Sequence, residues 1–137
     1  MESFVIAHWY LFLALVVVVA ALIAQPLMSA ASGVAAVTPT EAVQILNHQN
    51  GVIIDVREPS EFKSGHIMRA INIPLSQVGT RSQELKKYKD RPVILCCVSG
   101  ARSARAAGIL RQQGFSDPRN LGGGLNAWRS QNLPLES

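Results

Sequence analysis

The chain has 137 residues, which is enough for one domain and too few for two of ordinary size. Charged residues make up 16% of it, the formal net charge is +4, and no Lys or Arg precedes Arg57. Such a composition, with two cysteines, excludes a disulfide-rich scaffold, a collagen and a disordered protein, and the absence of a basic stripe with interleaved aromatics argues against nucleic-acid binding.

The N-terminal segment is strongly apolar. Residues 4–24 carry no formal charge, and as a helix they would span about 31 Å, close to the roughly 30 Å of a bilayer core. They predict a single-pass transmembrane helix that attaches the chain to a membrane. The alternative is a signal peptide cleaved near Ala31, which the missing basic residues disfavour. Residues 25–33 are predicted to be a linker, and the basic domain beyond it favours a cytoplasmic location.

Residues 34–137 alternate between helical and strand patterns. Thr38, followed by Pro39 and Glu41, predicts a helix N-terminus with a capping box. Residues 52–56 form an apolar run without alternation, which is typical of a parallel strand buried on both faces. The further predicted elements are a helical turn at 58–62, a strand at 71–74, a helix at 84–89, a strand at 93–97, a helix at 103–113, a short segment at 120–121 and a helix at 125–131. This order predicts an α/β domain with a mostly parallel central sheet and helices on both faces.

The two cysteines are adjacent, so a disulfide between them would be strained and a zinc site would lack ligands. Cys97 ends the strongest predicted strand, where the reactive positions of open α/β sheets lie. The loop after it, residues 98–103, precedes a helix, so its backbone N–H groups can bind an anion. Gly100 permits the required turn and Arg102 adds a positive charge. We expect this loop to lower the pKa of the Cys97 thiol and favour the nucleophilic thiolate.

Three further residues have two interpretations each. Strand alternation turns Cys96 away from Cys97, which predicts a small buried residue, with a resolving thiol as the alternative. Asp55 and Arg57 end another predicted strand. Either one of them orients the cysteine loop, or they belong to a structural ion pair such as Arg57 with Glu61.

Four segments, in order, resemble the single-domain form of the rhodanese family of sulfurtransferases: residues 55–67, 70–74, 97–103 and 121–128. The resemblance implies a rhodanese-like fold over residues 34–137. It implies that Cys97 takes a sulfane sulfur as a persulfide from thiosulfate or a persulfide donor. The acceptor would be cyanide, a thiol or a protein thiol, and the resemblance calls for no cofactor and no metal.

The resemblance also assigns roles within the loop. It implies that the donor binds to the segment made up of Val98, Ser99, Gly100, Ala101, Arg102 and Ser103. Ser103 is expected to cap the following helix, and the glycine run with Trp128 to pack near the loop. Related cell-cycle phosphatases have a loop one residue longer, so the shorter loop favours sulfur over phosphate. The alternative function is a membrane-tethered binding or regulatory module without turnover.

Overall fold

The computed structural model describes residues 2–31 and 34–137, and the side chains of residues 2–24 and 34–137. The chain divides into two compact units, Met1–Ser32 and Gly33–Ser137. The predicted domain boundary at residue 34 lies next to this division.

The first unit contains two helices, α1 (Glu2–Ala7) and α2 (Trp9–Ala31). None of the helices, over the residues that the structure describes, combines the length with the apolar character that a membrane span requires. The transmembrane helix predicted over residues 4–24 is thus not found among the described residues. The predicted segment is interrupted at His8, and helix α2 begins after it at Trp9. The predicted localisation, with the domain on the cytoplasmic side of a membrane, stays a prediction.

The linker predicted over residues 25–33 is helical for most of its length. Helix α2 continues through Pro26 to Ala31. Alanine, leucine and methionine, which are strong helix formers, dominate this stretch of the sequence. Residues 32 and 33 lie outside the described part of the chain.

The second unit is an α/β domain. Its strands are β1 (Ala35–Val37), β2 (Val52–Asp55), β3 (His66–Ile67), β4 (Ile71–Asn72), β5 (Pro92–Cys96), β6 (Asp117–Leu121) and β7 (Leu135–Glu136). Its helices are α3 (Pro39–His48), α4 (Pro59–Lys63), α5 (Leu75–Arg81), a 3₁₀ helix (Ser82–Tyr88), α6 (Ala101–Gln112) and α7 (Gly124–Ser130). Five strands form a parallel sheet in the order β1-β6-β5-β2-β4, and β3 pairs antiparallel with β7.

The central sheet is covered by helices on both faces, as predicted. Ile54 and Leu95 contribute to the core beneath α5 and α6, whereas Ile53 and Ile94 contribute to the core beneath α3 and α7. Successive residues of a strand point to opposite faces, so β2 and β5 supply both cores. This explains why residues 52–56 are apolar without alternation.

Most predicted elements are present, with shifted ends. Thr38 caps α3 as predicted, because its side chain accepts a hydrogen bond from the backbone N–H of Glu41. The helix predicted at 84–89 is a 3₁₀ helix that begins at Ser82, and α5 before it was not predicted. Because α5 contains Gly79 and Thr80, both weak helix formers, its local signal is poor.

Candidate active site

Cys97 directly follows β5 at the carboxyl edge of the parallel sheet, as predicted. The residue is 1% exposed. Its Sγ accepts a hydrogen bond from the backbone N–H of Gly100 at 3.0 Å and lies 3.3 Å from the Ser103 hydroxyl oxygen. The sulfur therefore sits inside its own loop, faced by hydrogen-bonding groups.

The loop turns sharply at Gly100, whose φ of 104° lies in the left-handed region that favours glycine. Gly100 is the N-cap of α6, so the helix begins at Ala101. The prediction that Ser103 caps this helix is wrong, because the turn at Gly100 starts the helix two residues earlier. Ser103 is instead fully buried within the first turn, with its hydroxyl near the sulfur.

The pKa of the Cys97 thiol is lowered, as expected. Burial raises this pKa, but hydrogen bonds from the Ser103 hydroxyl and from the backbone N–H groups of Ser103, Gly100 and Ser99 outweigh it. These donors favour the charged form because each can direct a hydrogen at the sulfur. The site therefore favours the thiolate more than an ordinary cysteine environment does, and the thiolate is the nucleophilic state of a cysteine.

Arg102 occupies the rim of the loop, but a carboxylate already holds its guanidinium. Glu61 accepts two hydrogen bonds from it, at 2.9 and 3.1 Å, and both side chains are about one-third exposed. The hydrogen bond from Arg102 holds the pKa of Glu61 at about 2, against the opposing effect of burial. Arg102 and Cys97 also attract each other electrostatically, but the groups that lower the thiol pKa most are the Ser103 hydroxyl and the loop amides.

Asp55 and Arg57 form a buried ion pair with each other. Arg57 Nη2 lies 2.7 Å from Asp55 Oδ2 and also donates to the carbonyl oxygen of Gly65 at 2.7 Å. The predicted alternative of a pair between Arg57 and Glu61 is therefore wrong, since Glu61 is paired with Arg102. The hydrogen bonds of the Asp55 and Arg57 side chains join the end of β2 to the Gly65 turn rather than to the cysteine loop.

Cys96 lies on the other face of the sheet from Cys97. It packs in the core with Ile94 and Leu121, whereas Cys97 packs in the core with Leu95. Burial, followed by the nearby charge of Asp55, raises the pKa of Cys96 well above its usual range. This position supports the interpretation of a small buried residue over that of a resolving thiol.

The glycine run packs directly on the loop, as the resemblance implied. The backbone N–H groups of Leu125 and Asn126 donate to the carbonyl oxygens of Cys97 and Val98 at 2.8 and 3.1 Å. A Cβ atom at Gly124 would collide with both of these oxygens. The close approach of two backbones therefore explains the glycine.

Asn120 is a site residue that sequence reasoning missed. Its Oδ1 accepts a hydrogen bond from the Ser103 hydroxyl at 2.6 Å, and its Nδ2 donates to the Gly100 carbonyl at 3.1 Å. The available signal was its position at the carboxyl end of β6, next to the strand that ends at the cysteine. Parallel strands place such positions at one edge of the sheet.

The remaining loop residues contribute mainly backbone. Ser99 and Ala101 are exposed and Val98 is half-buried. Over residues 2–31 and 34–137, no group of three or more His, Cys, Asp or Glu side chains could hold a metal ion. The chemistry available at the site is that of a cysteine thiolate stabilised at the N-terminus of a helix.

Comparisons with known proteins agree with this geometry. A family model described as a rhodanese-like domain matches residues 38–131. The uncharacterized protein YqhL of Bacillus subtilis is 45% identical over 91 residues, which cover 66% of this chain and 71% of YqhL. The thiosulfate sulfurtransferase GlpE of Pseudomonas syringae is 35% identical over 92 residues, which cover 67% of this chain and 85% of GlpE. A rhodanese-related crystal structure from Thermoplasma volcanium is 29% identical, with a TM-score of 0.65, and the match covers 74% of this chain and 97% of that one.

Proposed function

Because the chain belongs to the rhodanese-like family, which includes sulfurtransferases, we propose that it transfers sulfane sulfur through a persulfide on Cys97. One observation carries the proposal: the buried Cys97 sulfur is faced by the Gly100 amide and the Ser103 hydroxyl. These donors stabilise a thiolate and can equally stabilise the anionic outer sulfur of a persulfide. A cysteine that served only for packing would not need them.

The reaction proceeds in two balanced steps. The Cys97 thiolate attacks the sulfane sulfur of thiosulfate, forming a new S–S bond to that atom. The old bond between the two thiosulfate sulfurs breaks, and its electron pair leaves with sulfite. The acceptor, for example cyanide, then attacks the outer sulfur of the Cys97 persulfide. Thiocyanate leaves and the thiolate returns, so no net oxidant or reductant is required.

The donor is proposed to be thiosulfate or a persulfide, and the acceptor cyanide, a thiol or a protein thiol. GlpE carries thiosulfate in its name, which supports the first donor. The loop has backbone N–H groups for an anionic donor, while the Arg102 charge is shared with Glu61. The loop of Val98, Ser99, Gly100, Ala101, Arg102 and Ser103 forms the proposed binding segment, with the Asp55–Arg57 pair as structural support.

Mass spectrometry of the intact protein tests the proposal. After incubation with thiosulfate and removal of excess donor, we expect the wild type to gain one sulfur atom and to lose it when cyanide is added. The variant Cys97→Ser should gain none, and Cys96→Ser is the matched control that should still gain it. If the wild type gains no sulfur from thiosulfate or from a cysteine persulfide donor, a binding or regulatory module without turnover replaces this proposal.

A further inference from the structure

The Asn120 carboxamide contacts two parts of the cysteine loop at the same time. One end of it accepts the Ser103 hydroxyl hydrogen at 2.6 Å, and the other end donates to the Gly100 carbonyl at 3.1 Å. Ser103 and Gly100 are also the residues whose hydroxyl and amide face the Cys97 sulfur. A single side chain on β6 therefore contacts both of the residues that supply these two groups.

These contacts dictate the direction of each hydrogen bond. Only the NH₂ end of an amide can donate to the Gly100 carbonyl, so the oxygen end of Asn120 faces Ser103. The Ser103 hydroxyl has one hydrogen, and the short contact of 2.6 Å directs it to Asn120. When Cys97 is a thiol, its S–H is then the donor to the Ser103 oxygen.

We propose that Asn120 is a positioning residue for Cys97, and that ionisation of the thiol turns the Ser103 hydroxyl from Asn120 to the sulfur. The thiol proton leaves to water or to a base in the buffer, and the hydroxyl hydrogen that Asn120 had held then faces the thiolate. Through its second hydrogen bond, Asn120 keeps the Gly100 carbonyl in place and the Gly100 N–H directed at the sulfur. The inference rests on the proposed function only for its kinetic readout, since thiol ionisation is measured without sulfur transfer.

Other ionisable groups lie near the cysteine. Each of them is held by a partner or lies in the opposite core. Asp55 is paired with Arg57, and Arg102 is paired with Glu61, although its charge still attracts the Cys97 thiolate. The Cys96 thiol lies in the opposite core, and its pKa is raised by burial. Among the described contacts, Asn120 is the side chain that joins Ser103 to Gly100.

The variant Asn120→Asp tests the proposal with a side chain of the same shape. The carboxylate keeps the acceptor for Ser103, loses the donor to Gly100 and adds a negative charge near the sulfur. The lost donor and the added charge both oppose the thiolate, so we expect the pH midpoint of Cys97 alkylation by iodoacetamide to rise by about one unit. Sulfur transfer should fall about 10-fold at pH 7 and recover as the pH is raised. An alkylation midpoint equal to that of the wild type would overturn the proposal.

The matched control is Asn72→Asp. The Asn72 amide also donates to backbone carbonyls, those of Asp55 and Arg57, but on a different strand. This variant undergoes the same chemical change, so a comparable loss of stability with a much smaller shift of the alkylation midpoint is expected. Equal midpoint shifts in the two variants would assign the effect to added charge in general and contradict a special role for Asn120.

Nuclear magnetic resonance of the wild type removes the need for either variant to fold. The side-chain amide signal of Asn120 should move with pH at the same midpoint as Cys97 alkylation, because its oxygen loses the Ser103 hydrogen. The Asn72 amide signal should stay constant over that range. If the Asn120 signal does not respond to thiol ionisation, the proposed hydroxyl rotation does not occur. A protein that shows the response but gains no sulfur from donors would contradict the proposed function alone.

Discussion

The adjacent cysteines show how strongly the surroundings of one side chain determine its chemistry. Cys97 faces hydrogen-bond donors that lower its pKa in spite of burial, whereas Cys96 packs among apolar side chains and its pKa is raised. A neutral thiol is a poor nucleophile. Reactivity should therefore be confined to one of two neighbours in the sequence.

Substitution of each cysteine tests this difference. We expect Cys97→Ser to abolish transfer of sulfur from thiosulfate to cyanide, because a serine hydroxyl cannot form the persulfide. Cys96→Ser should retain most of the activity, with some loss of stability because a hydroxyl replaces a buried thiol. Steady-state kinetics of both purified variants provide the measurement. Activity in Cys97→Ser equal to that of the wild type would refute the assignment of the nucleophile.

The pH dependence of alkylation distinguishes the hydroxyl from the guanidinium. Ser103 lowers the pKa of Cys97 through a hydrogen bond, so Ser103→Ala should raise the alkylation midpoint by about one pH unit. Arg102→Ala should raise the midpoint by less, because the guanidinium attracts the thiolate but shares its charge with Glu61. A larger shift in Arg102→Ala than in Ser103→Ala would show that the arginine charge, rather than the loop, activates the thiol.

At the scale of elements, the site is formed where two strand ends meet. Strands β5 and β6 are parallel neighbours, so the loops that follow them lie side by side. The loop after β5 carries Cys97, and the backbone N–H groups of Leu125 and Asn126, just after the glycine run, donate to the carbonyl oxygens of Cys97 and Val98. The N-terminus of α7 therefore holds the cysteine loop in place.

Two glycines permit a matched test of this arrangement. Gly124 has a φ of 57° and no room for a Cβ atom. We therefore expect Gly124→Ala to lower the free energy of unfolding by about 1–3 kcal/mol or more. The same substitution should reduce activity, because it displaces the cysteine loop. Gly108 lies inside α6, where a Cβ atom would meet no other part of the described chain within 4 Å. Gly108→Ala should raise the free energy of unfolding by about 0.5–1 kcal/mol. Chemical denaturation measures both, and a Gly124→Ala variant as stable as the wild type would contradict the packing described for the loop.

At the scale of the whole molecule, the α/β domain has its own complete core. Two buried clusters cover the two faces of the sheet, and their members all lie between Val34 and Leu135. The division of the chain after Ser32 separates this domain from helices α1 and α2. The second unit should therefore fold, and transfer sulfur, without helices α1 and α2.

A truncated chain tests this independence. Residues 34–137 should unfold cooperatively near the temperature of the full chain and transfer sulfur at a similar rate, because no core residue is removed. Calorimetry and thiosulfate kinetics on both chains make the comparison, and failure of the truncated chain to fold would contradict the independence of the domain.

Fractionation of cells that express each chain tests the predicted membrane localisation. This prediction requires that the full chain, but not the truncated one, is found in the membrane fraction.

Much of the fold could be predicted from local pattern. The runs at 52–56 and 93–97 correspond to the two central strands β2 and β5, because strands buried on both faces are apolar at nearly every position, with the paired Asp55 as the exception. Cys97 could be placed at the carboxyl end of β5 for the same reason. The start of α3 was also predictable, since Thr38 and Pro39 act on backbone groups within one helical turn.

The tertiary structure decided which side chains meet. Glu61 and Arg102 are 41 residues apart, and Ser103 and Asn120 are 17 apart, so no local pattern indicates that they are partners. Their contacts depend on which strands are neighbours in the sheet and on the turn at Gly100, which starts α6 earlier than Ser103 suggested. The reactive cysteine can therefore be found from strand pattern and loop composition in the sequence. The groups that set its ionisation are known only from the tertiary structure, because the parallel strands bring distant loops to the carboxyl edge of the sheet.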